Sequence, residues 1–329
     1  MVRITDVAKA AGVSPSTVSH VLNGKRPISQ KTKTKVYQAI KELGYSPNPN
    51  AQALKSSRTG IIGFFASDIT ELFVTQIIRG AEKITREKNT VLLFASGVEF
   101  NYDVREAVRF LRKRRIDGLI ISYGISQRYS LDSLRNLDLP MVTINTRLTN
   151  HFPAVLPDNF DGGYRAATHL IDRGARTLAI IAGPSDRIAS SERIEGFLSA
   201  VREADIPFQE PQQIYYGDFS AYSGELGFFE LLNRIPSMDG VFCANDYMAA
   251  GALNAAAKAG KKVPEETKIL GFDNREFASF WPIPITSFAQ PLTDMGRTSA
   301  QILFDLIEGN EPEHYEFKLK STLIKRNST

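Results

Sequence analysis

The 329-residue sequence predicts an α/β protein in two parts: a small, basic, all-helical head and a large core of two doubly wound lobes. Three observations predict it. Capping residues and glycines punctuate three short amphipathic segments before residue 46. Positive charge is crowded into the same region. From Ile61 onward, apolar runs of strand length alternate with amphipathic helical stretches, and the alternation passes through two comparable series.

In the head, the first helix is expected to take Thr5 as its cap, turn Val7, Ala8 and Ala11 inward and end at Gly12. The second opens at Ser14-Pro15. Ser14 accepts from the first free N–H groups, and Pro15 stands at the first helical position, where its missing N–H costs nothing. Val18, Val21 and Leu22 recur at three- and four-residue spacing and share an apolar face, while Ser16 and His20, four apart, share another. Ser29 caps a third helix through about Leu43, with Val36, Ile40 and Leu43 inward, and Gly44-Tyr45 closes it. Two short helices joined by a glycine turn make the helix-turn-helix plan, whose second helix enters the DNA major groove; a plain helical bundle is the competing reading.

Charge decides between them. Residues 1–58 hold ten Lys and Arg against Asp6 and Glu42, a net of +8, so residues 59–329 carry −4. A basic head on an acidic core is the footprint of a chain that docks one end on phosphate. Beyond the head, Asn48 as cap and Pro49 at the first position launch a helix that runs only to about Ser56 before Ser57-Arg58-Thr59-Gly60 releases it. Such a segment, well below the ~12–15 residues at which an isolated helix is even marginal, is expected to coil only when packed on a partner.

In the core, strands are expected at 61–66, 91–95, 118–122 and 141–144, then at 177–182, 213–216, 241–244, 268–272 and 285–289. Helices are expected at about 72–88, 103–114, 128–137, 161–173, 191–204, 221–233, 246–259 and 292–308. Asp117-Gly118 and Asp239-Gly240 each open a strand at comparable places in the two series, a hint of internal duplication. Doubly wound lobes bind ligands in the crevice at their strand C-termini. Polar residues stand at those ends: Asp68, Asn145, Asn245-Asp246, Asp273 and Gln290, with Phe219 after Tyr216-Gly217-Asp218. Carboxylates, amides and guanidinium groups bond adjacent hydroxyls while a ring covers an apolar C–H face, which suits a pyranose sugar. Asp158 and Asp246 are expected merely to cap the helices that follow them.

Other classes find little support. No apolar run reaches membrane-span length, and the N-terminus shows no signal-peptide apolar region, so a cytoplasmic protein is expected. Cys243 alone excludes an intrachain disulfide framework and a Cys-rich zinc site, and it reads as a packing residue. His20, His151, His169 and His314 are scattered without metal-ligand spacing. Neither a dinucleotide-binding glycine fingerprint, a phosphate-binding P-loop nor a nucleophile elbow occurs, so no catalysis, cofactor or metal is expected.

The opening Ile4-Thr5-Asp6-Val7-Ala8, the Val13-to-Asn23 helix, and Tyr45-x-Pro47-Asn48 leading to Ala51-x-Ala53-Leu54 resemble the LacI/GalR family of bacterial transcription regulators. The resemblance implies a headpiece at 1–46, a hinge helix and linker at 47–60, and a periplasmic-binding-protein-like effector and dimerisation core at 61–329. The chain would cross between the lobes three times, with lobe 1 at about 61–158 and 289–318 and lobe 2 at about 159–288 and 319–329.

It further implies a homodimeric, nucleoid-associated repressor of carbohydrate-utilisation genes on a pseudo-palindromic double-stranded operator. Ser16 and His20 would read base edges, Pro15 would offer van der Waals contact, and Thr17, Asn23, Lys25 and Arg26 would grip phosphates, with Thr5 in the same DNA-binding set. Leu54 would wedge into a central base step beside Lys55 and Arg58. Arg193, Phe219, Asn245, Asp273 and Gln290 fall at the family's ligand contacts, and Asp68, Phe73, Asn145 and Arg187 line the same cleft. A purine binder would sandwich its ligand between aromatics, whereas Asn145-Thr146-Arg147 lacks one, which favours a sugar effector. Phe277, Phe280 and Trp281 form an apolar patch, and Phe280 and Trp281 would enter the subunit interface; covering the hinge between lobes is the alternative. Sensing of a phosphocarrier protein is a further alternative, against which Arg297 stands as the lone basic residue of its helix.

Overall fold

The computed structural model describes residues 2–23, 26–45, 58–122, 134, 137–147 and 151–329. The expected helix from Asn48, with Leu54 and Lys55, lies outside the described residues, as do Lys25, the Asn23 side chain and most of the helix expected at 128–137. The chain divides into two units: residues up to Ile61 with Arg115–Asp117, and Ile62–Arg114 with Gly118–Thr329.

The first unit holds α1 (Ile4–Ala11), α2 (Pro15–Asn23) and α3 (Gln30–Leu43). Val7, Ala8, Ala11, Val18, Val21, Val36 and Ala39 form its core. The caps of α2 and α3 fall where expected: Ser14 Oγ accepts from the Thr17 N–H at 3.1 Å and Ser29 Oγ from the Thr32 N–H at 3.3 Å. The start of α1 differs. The Asp6 carboxylate accepts the Arg3 N–H at 2.8 Å, which satisfies a free donor and moves the cap from Thr5 to Arg3. Leu43 differs too, because the small core closes on Val36, Ala39 and Ile40, one turn before it, leaving Leu43 exposed. At the other end of this unit Asp117 clasps the chain: its carboxylate accepts the Thr59 N–H at 2.8 Å and the Gly60 N–H at 2.7 Å.

The second unit runs β1 (Ile61–Ala66), α4 (Leu72–Glu87), β2 (Val91–Ser96), α5 (Val104–Arg112), β3 (Gly118–Ser122), β4 (Met141–Ile144) and β5 (Ala154–Pro157). Then follow α6 (Asn159–Asp172), β6 (Leu178–Ala182), α7 (Ile188–Glu203), β7 (Ile214–Tyr216), α8 (Ala221–Arg234), β8 (Gly240–Cys243) and α9 (Asp246–Lys258). It ends with β9 (Lys268–Asp273), β10 (Thr286–Ala289), α10 (Leu292–Glu308), β11 (Glu316–Leu319) and β12 (Thr322–Ile324).

Two six-stranded sheets result, ordered β11-β5-β4-β3-β1-β2 and β12-β10-β9-β8-β6-β7. The chain passes between them after β5, β10 and β11. The sheets match position for position, except that β11 runs parallel to β5 while β12 runs antiparallel to β10. The duplication extends to Asp239, whose carboxylate accepts the Arg176 and Thr177 N–H groups before β6, as Asp117 does before β1. Apolar side chains fill both faces: Phe64, Phe65, Ile120 and Ile121 in one lobe, Ile180, Val241, Phe242 and Phe272 in the other. Helices α4 and α10 touch backbone to backbone through Gly80 and Gly296, where an added Cβ would lie 1.9 Å from a carbonyl oxygen of the partner helix. In each sheet the order reverses beside its first strand, and this opens a crevice at the strand C-termini.

Candidate functional site

On α2, Pro15 and Ser16 are exposed, Thr17 and His20 are half-buried, and Val18 and Val21 are buried beneath them. The helix thus presents its small polar residues outward because its three- and four-residue apolar spacing commits the opposite face to the core. Ser14 Oγ lies 2.8 Å from Ser16 Oγ and 2.9 Å from Thr17 Oγ1, so the cap also orders two of the hydroxyls expected at DNA. Each hydroxyl keeps further bonding capacity. Thr5 and Arg26 are exposed.

The crevice in the core is a cavity of about 820 Å³, toward the large end of the roughly 300–1,000 Å³ usual for small-molecule sites. All nine residues expected there line it: Asp68, Phe73 and Asn145 from the first lobe, Arg187, Arg193, Phe219, Asn245 and Asp273 from the second, and Gln290 from the segment between them. Arg193 is the most constrained. Only 6% exposed, it donates from Nε to Asn159 Oδ1 at 3.0 Å and from Nη1 to the Ala244 carbonyl, and its guanidinium lies 3.7 Å from the Phe272 ring centre. Burial pulls it down to about 10, so it stays charged at neutral pH.

Asp273, at φ 102°, accepts from Gln290 Nε2 at 2.6 Å and lies 3.9 Å from Arg275 Nε. Burial pushes its carboxyl up, while Arg193 and Arg275 pull it back. Among the described residues, Gln290 Oε1 and Arg275 Nε are buried without a hydrogen-bond partner, an arrangement that costs stability and often marks function. Asp68 and Asp218 instead turn toward neighbouring hydroxyls and N–H groups: Thr70 holds Asp68 below the usual carboxylate range, and Ser220 holds Asp218 down to about 2.

Of the two capping expectations, the one for Asp158 holds and the one for Asp246 passes to its neighbour Asn245. Asp158 caps α6, accepting from the Asp161 N–H at 3.0 Å. Asp246 caps nothing; Asn245 caps α9, with Oδ1 accepting from the Met248 N–H at 2.8 Å and Nδ2 donating to the Phe219 carbonyl at 2.9 Å. Asp246 is fully buried against Gly271, accepts from Ser287 Oγ at 2.5 Å and the Arg275 N–H at 2.6 Å, and is pushed by burial and by Asp273 up to about 7.

Several cleft residues were not expected from the sequence. Tyr102 and Tyr247 add a second ring to each wall beside Phe73 and Phe219, so aromatics stand on both sides despite the ring-free Asn145-Thr146-Arg147. Arg147 forks onto Glu316 of β11 at 2.6 and 3.1 Å and reaches Glu192 of α7 at 2.9 Å, joining the two lobes. Glu192 then accepts from Asn159 Nδ2 at 3.2 Å, and Asn159 holds Arg193. Partners so distant in sequence leave no local pattern. Phe280 is 70% exposed, and Trp281 is half-buried with its ring 5.7 Å from Phe277.

A helix-turn-helix head followed by a two-lobed, periplasmic-binding-protein-like core defines the class of DNA-binding transcription regulators. Residues 3–48 match the profile "Bacterial regulatory proteins, lacI family", and residues 167–329 match "Periplasmic binding protein-like domain". The chain is 33% identical to the HTH-type transcriptional repressor PurR of Klebsiella pneumoniae subsp. pneumoniae, covering 100% of this chain and 97% of that protein. Among solved structures, the transcriptional regulator CelR in complex with cellobiose is 32% identical with a TM-score of 0.73 over 100% of both chains. The lac repressor dimer bound to operator and the anti-inducer ONPF is 29% identical with a TM-score of 0.78, over 100% of this chain and 99% of that one. The chain belongs to the LacI family and is a DNA-binding transcriptional repressor of that family.

Proposed function

We propose that this repressor acts as a homodimer on a pseudo-palindromic operator and that a small sugar held between its lobes sets its affinity for DNA, without catalysis. The observation that carries this reading is the convergence of nine polar and aromatic side chains from both lobes on one 820 Å³ cavity. Arg193, Asp273, Asn245 and Gln290 present charged and amide groups suited to adjacent hydroxyls, and Phe219, pressed over Gly183, offers a flat apolar face. Ser16 and His20 read bases, Thr5, Thr17, Asn23, Lys25 and Arg26 position the headpiece, and Leu54 with Lys55 engages the minor groove. Exposed Phe280 and neighbouring Trp281 supply apolar surface for the subunit contact. Arg297 is paired with Asp294 at 2.7 Å, which gives a phosphocarrier protein little to hold.

A purine is the second reading, favoured by the rings on both cleft walls and by the similarity to PurR. Thermal melts of the full chain against monosaccharides, disaccharides and free purine bases separate the two. A ligand at 100 times its Kd adds ~2.7 kcal/mol by mass action, a clear rise in Tm. A rise with a sugar, lost in Asp273→Asn, supports the first reading; a rise with purine bases alone overturns it.

A further inference from the structure

We infer that the core carries a second, sequence-independent DNA contact: the basic tract of α5 and the turn after it, which grips operator phosphates beside the root of the linker. Arg105, Arg109 and Arg112 fall at i, i+4 and i+7 on the solvent face of α5, opposite buried Val104, Ala107, Val108 and Leu111. Lys113, Arg114 and Arg115 follow without a break, and all of Arg109 to Arg115 that are charged are exposed. Glu106 is the one carboxylate between residues 105 and 115, in a core that carries an overall acidic balance.

A purely structural role explains only part of this. Cations in a last helical turn offset the helix dipole, which accounts for Arg109 and Arg112 but not for the run beyond. Arg105 pairs with Asp103 at 2.9 Å, and Arg114 lies 3.5 Å over the Phe110 ring. Among the described residues, Arg109, Arg112, Lys113 and Arg115 make no ion pair. A solubilising surface mixes both signs; from Arg109 to Arg115 this one carries positive charge alone.

The placement of the tract selects its partner. Thr59 Oγ1 donates to the Arg115 carbonyl at 2.6 Å, and Asp117 holds the Thr59 and Gly60 N–H groups. The basic turn is therefore fastened to the chain where it emerges from residues 46–57, which lead directly from the DNA-reading headpiece. Chain continuity with the headpiece and charge complementarity therefore commit the tract to the polyanion that the headpiece binds. This inference rests on the DNA-binding assignment.

The test uses the full chain carrying Arg109→Gln, Arg112→Gln and Lys113→Gln, and a control carrying Arg202→Gln, Lys261→Gln and Lys262→Gln on the second lobe. Anisotropy titrations on operator and on unrelated duplex are run from low to high salt, with thermal melts to confirm folding. The tract variant should lose about tenfold or more on both duplexes at low salt, preserving the ratio between them, while the slope of log K against log salt shrinks by roughly 0.9 per phosphate contact removed. The control should match wild type. Equal affinity and slope in the tract variant, or an equal loss in the control, overturns the inference. Wild-type chain that binds no duplex would instead strike the DNA-binding assignment.

Discussion

Asp246 shows how far one residue can tie fold to conditions. Its carboxyl titrates near 7 in the fold against 3.8 when free, so the folded chain binds a proton between those values that the unfolded chain lacks. Stability should therefore decline as pH rises from about 4 to 7 and level off above, the reverse of the usual carboxylate. Asp246→Asn, whose amide can donate to Ser287 Oγ and accept from Arg275, should flatten that segment of a Tm-against-pH curve. An unchanged slope would remove Asp246 as its source. At the other end of the chain, Ser14→Ala removes the acceptor for the Thr17 N–H and should destabilise the headpiece by ~1 kcal/mol, read by denaturant unfolding of the head's helical signal. The exchange between Asn245 and Asp246 marks a limit of sequence reading at this scale. Two adjacent polar residues at a strand end compete for one cap, and the winner is set by backbone torsion: Asn245 at φ −152° remains extended while Asp246 enters the helix.

At the scale of elements, the apolar strands were legible because burial on both faces leaves no charged position in them; β1, β3 and β4 match the expected bounds. Strands β5, β11 and β12 were not. Glu316-Phe317-Lys318-Leu319 in β11 is an edge strand with one wet face, and β5 is four residues set between Pro153 and Pro157, which break the strand signal. The cleft was legible for a different reason. Strand C-termini of doubly wound sheets point to one crevice, so listing polar residues past the strands collected Asp68, Asn145, Asn245, Asp273 and Gln290 without knowing how the lobes pack. Tyr102, Tyr247 and the Glu316–Arg147–Glu192 bridge depend on that packing and stayed invisible. The bridge joins side chains 18 to 45% exposed, so a contribution of about 1 kcal/mol is in scale. Glu192→Gln should weaken ligand binding by about fivefold in calorimetry and lose that effect in an Arg147→Met background; a Kd that does not move would make the bridge incidental.

The molecule as a whole pairs a head that reads DNA with a cleft whose two walls belong to different lobes. A ligand shifts such a molecule only by its differential affinity for two lobe arrangements, and the coupling is reciprocal. Leu54→Ala should cost operator affinity while leaving ligand binding intact; unchanged operator binding would remove the wedge. The most direct measurement is operator affinity by anisotropy, with and without a saturating cleft ligand, for wild type and Asp273→Asn. A change of about fivefold or more is expected in wild type, the lower bound of typical couplings of 1–3 kcal/mol, and none in the variant, which still binds operator. A ligand that binds the cleft tightly yet leaves the wild-type operator Kd where it was would contradict that coupling.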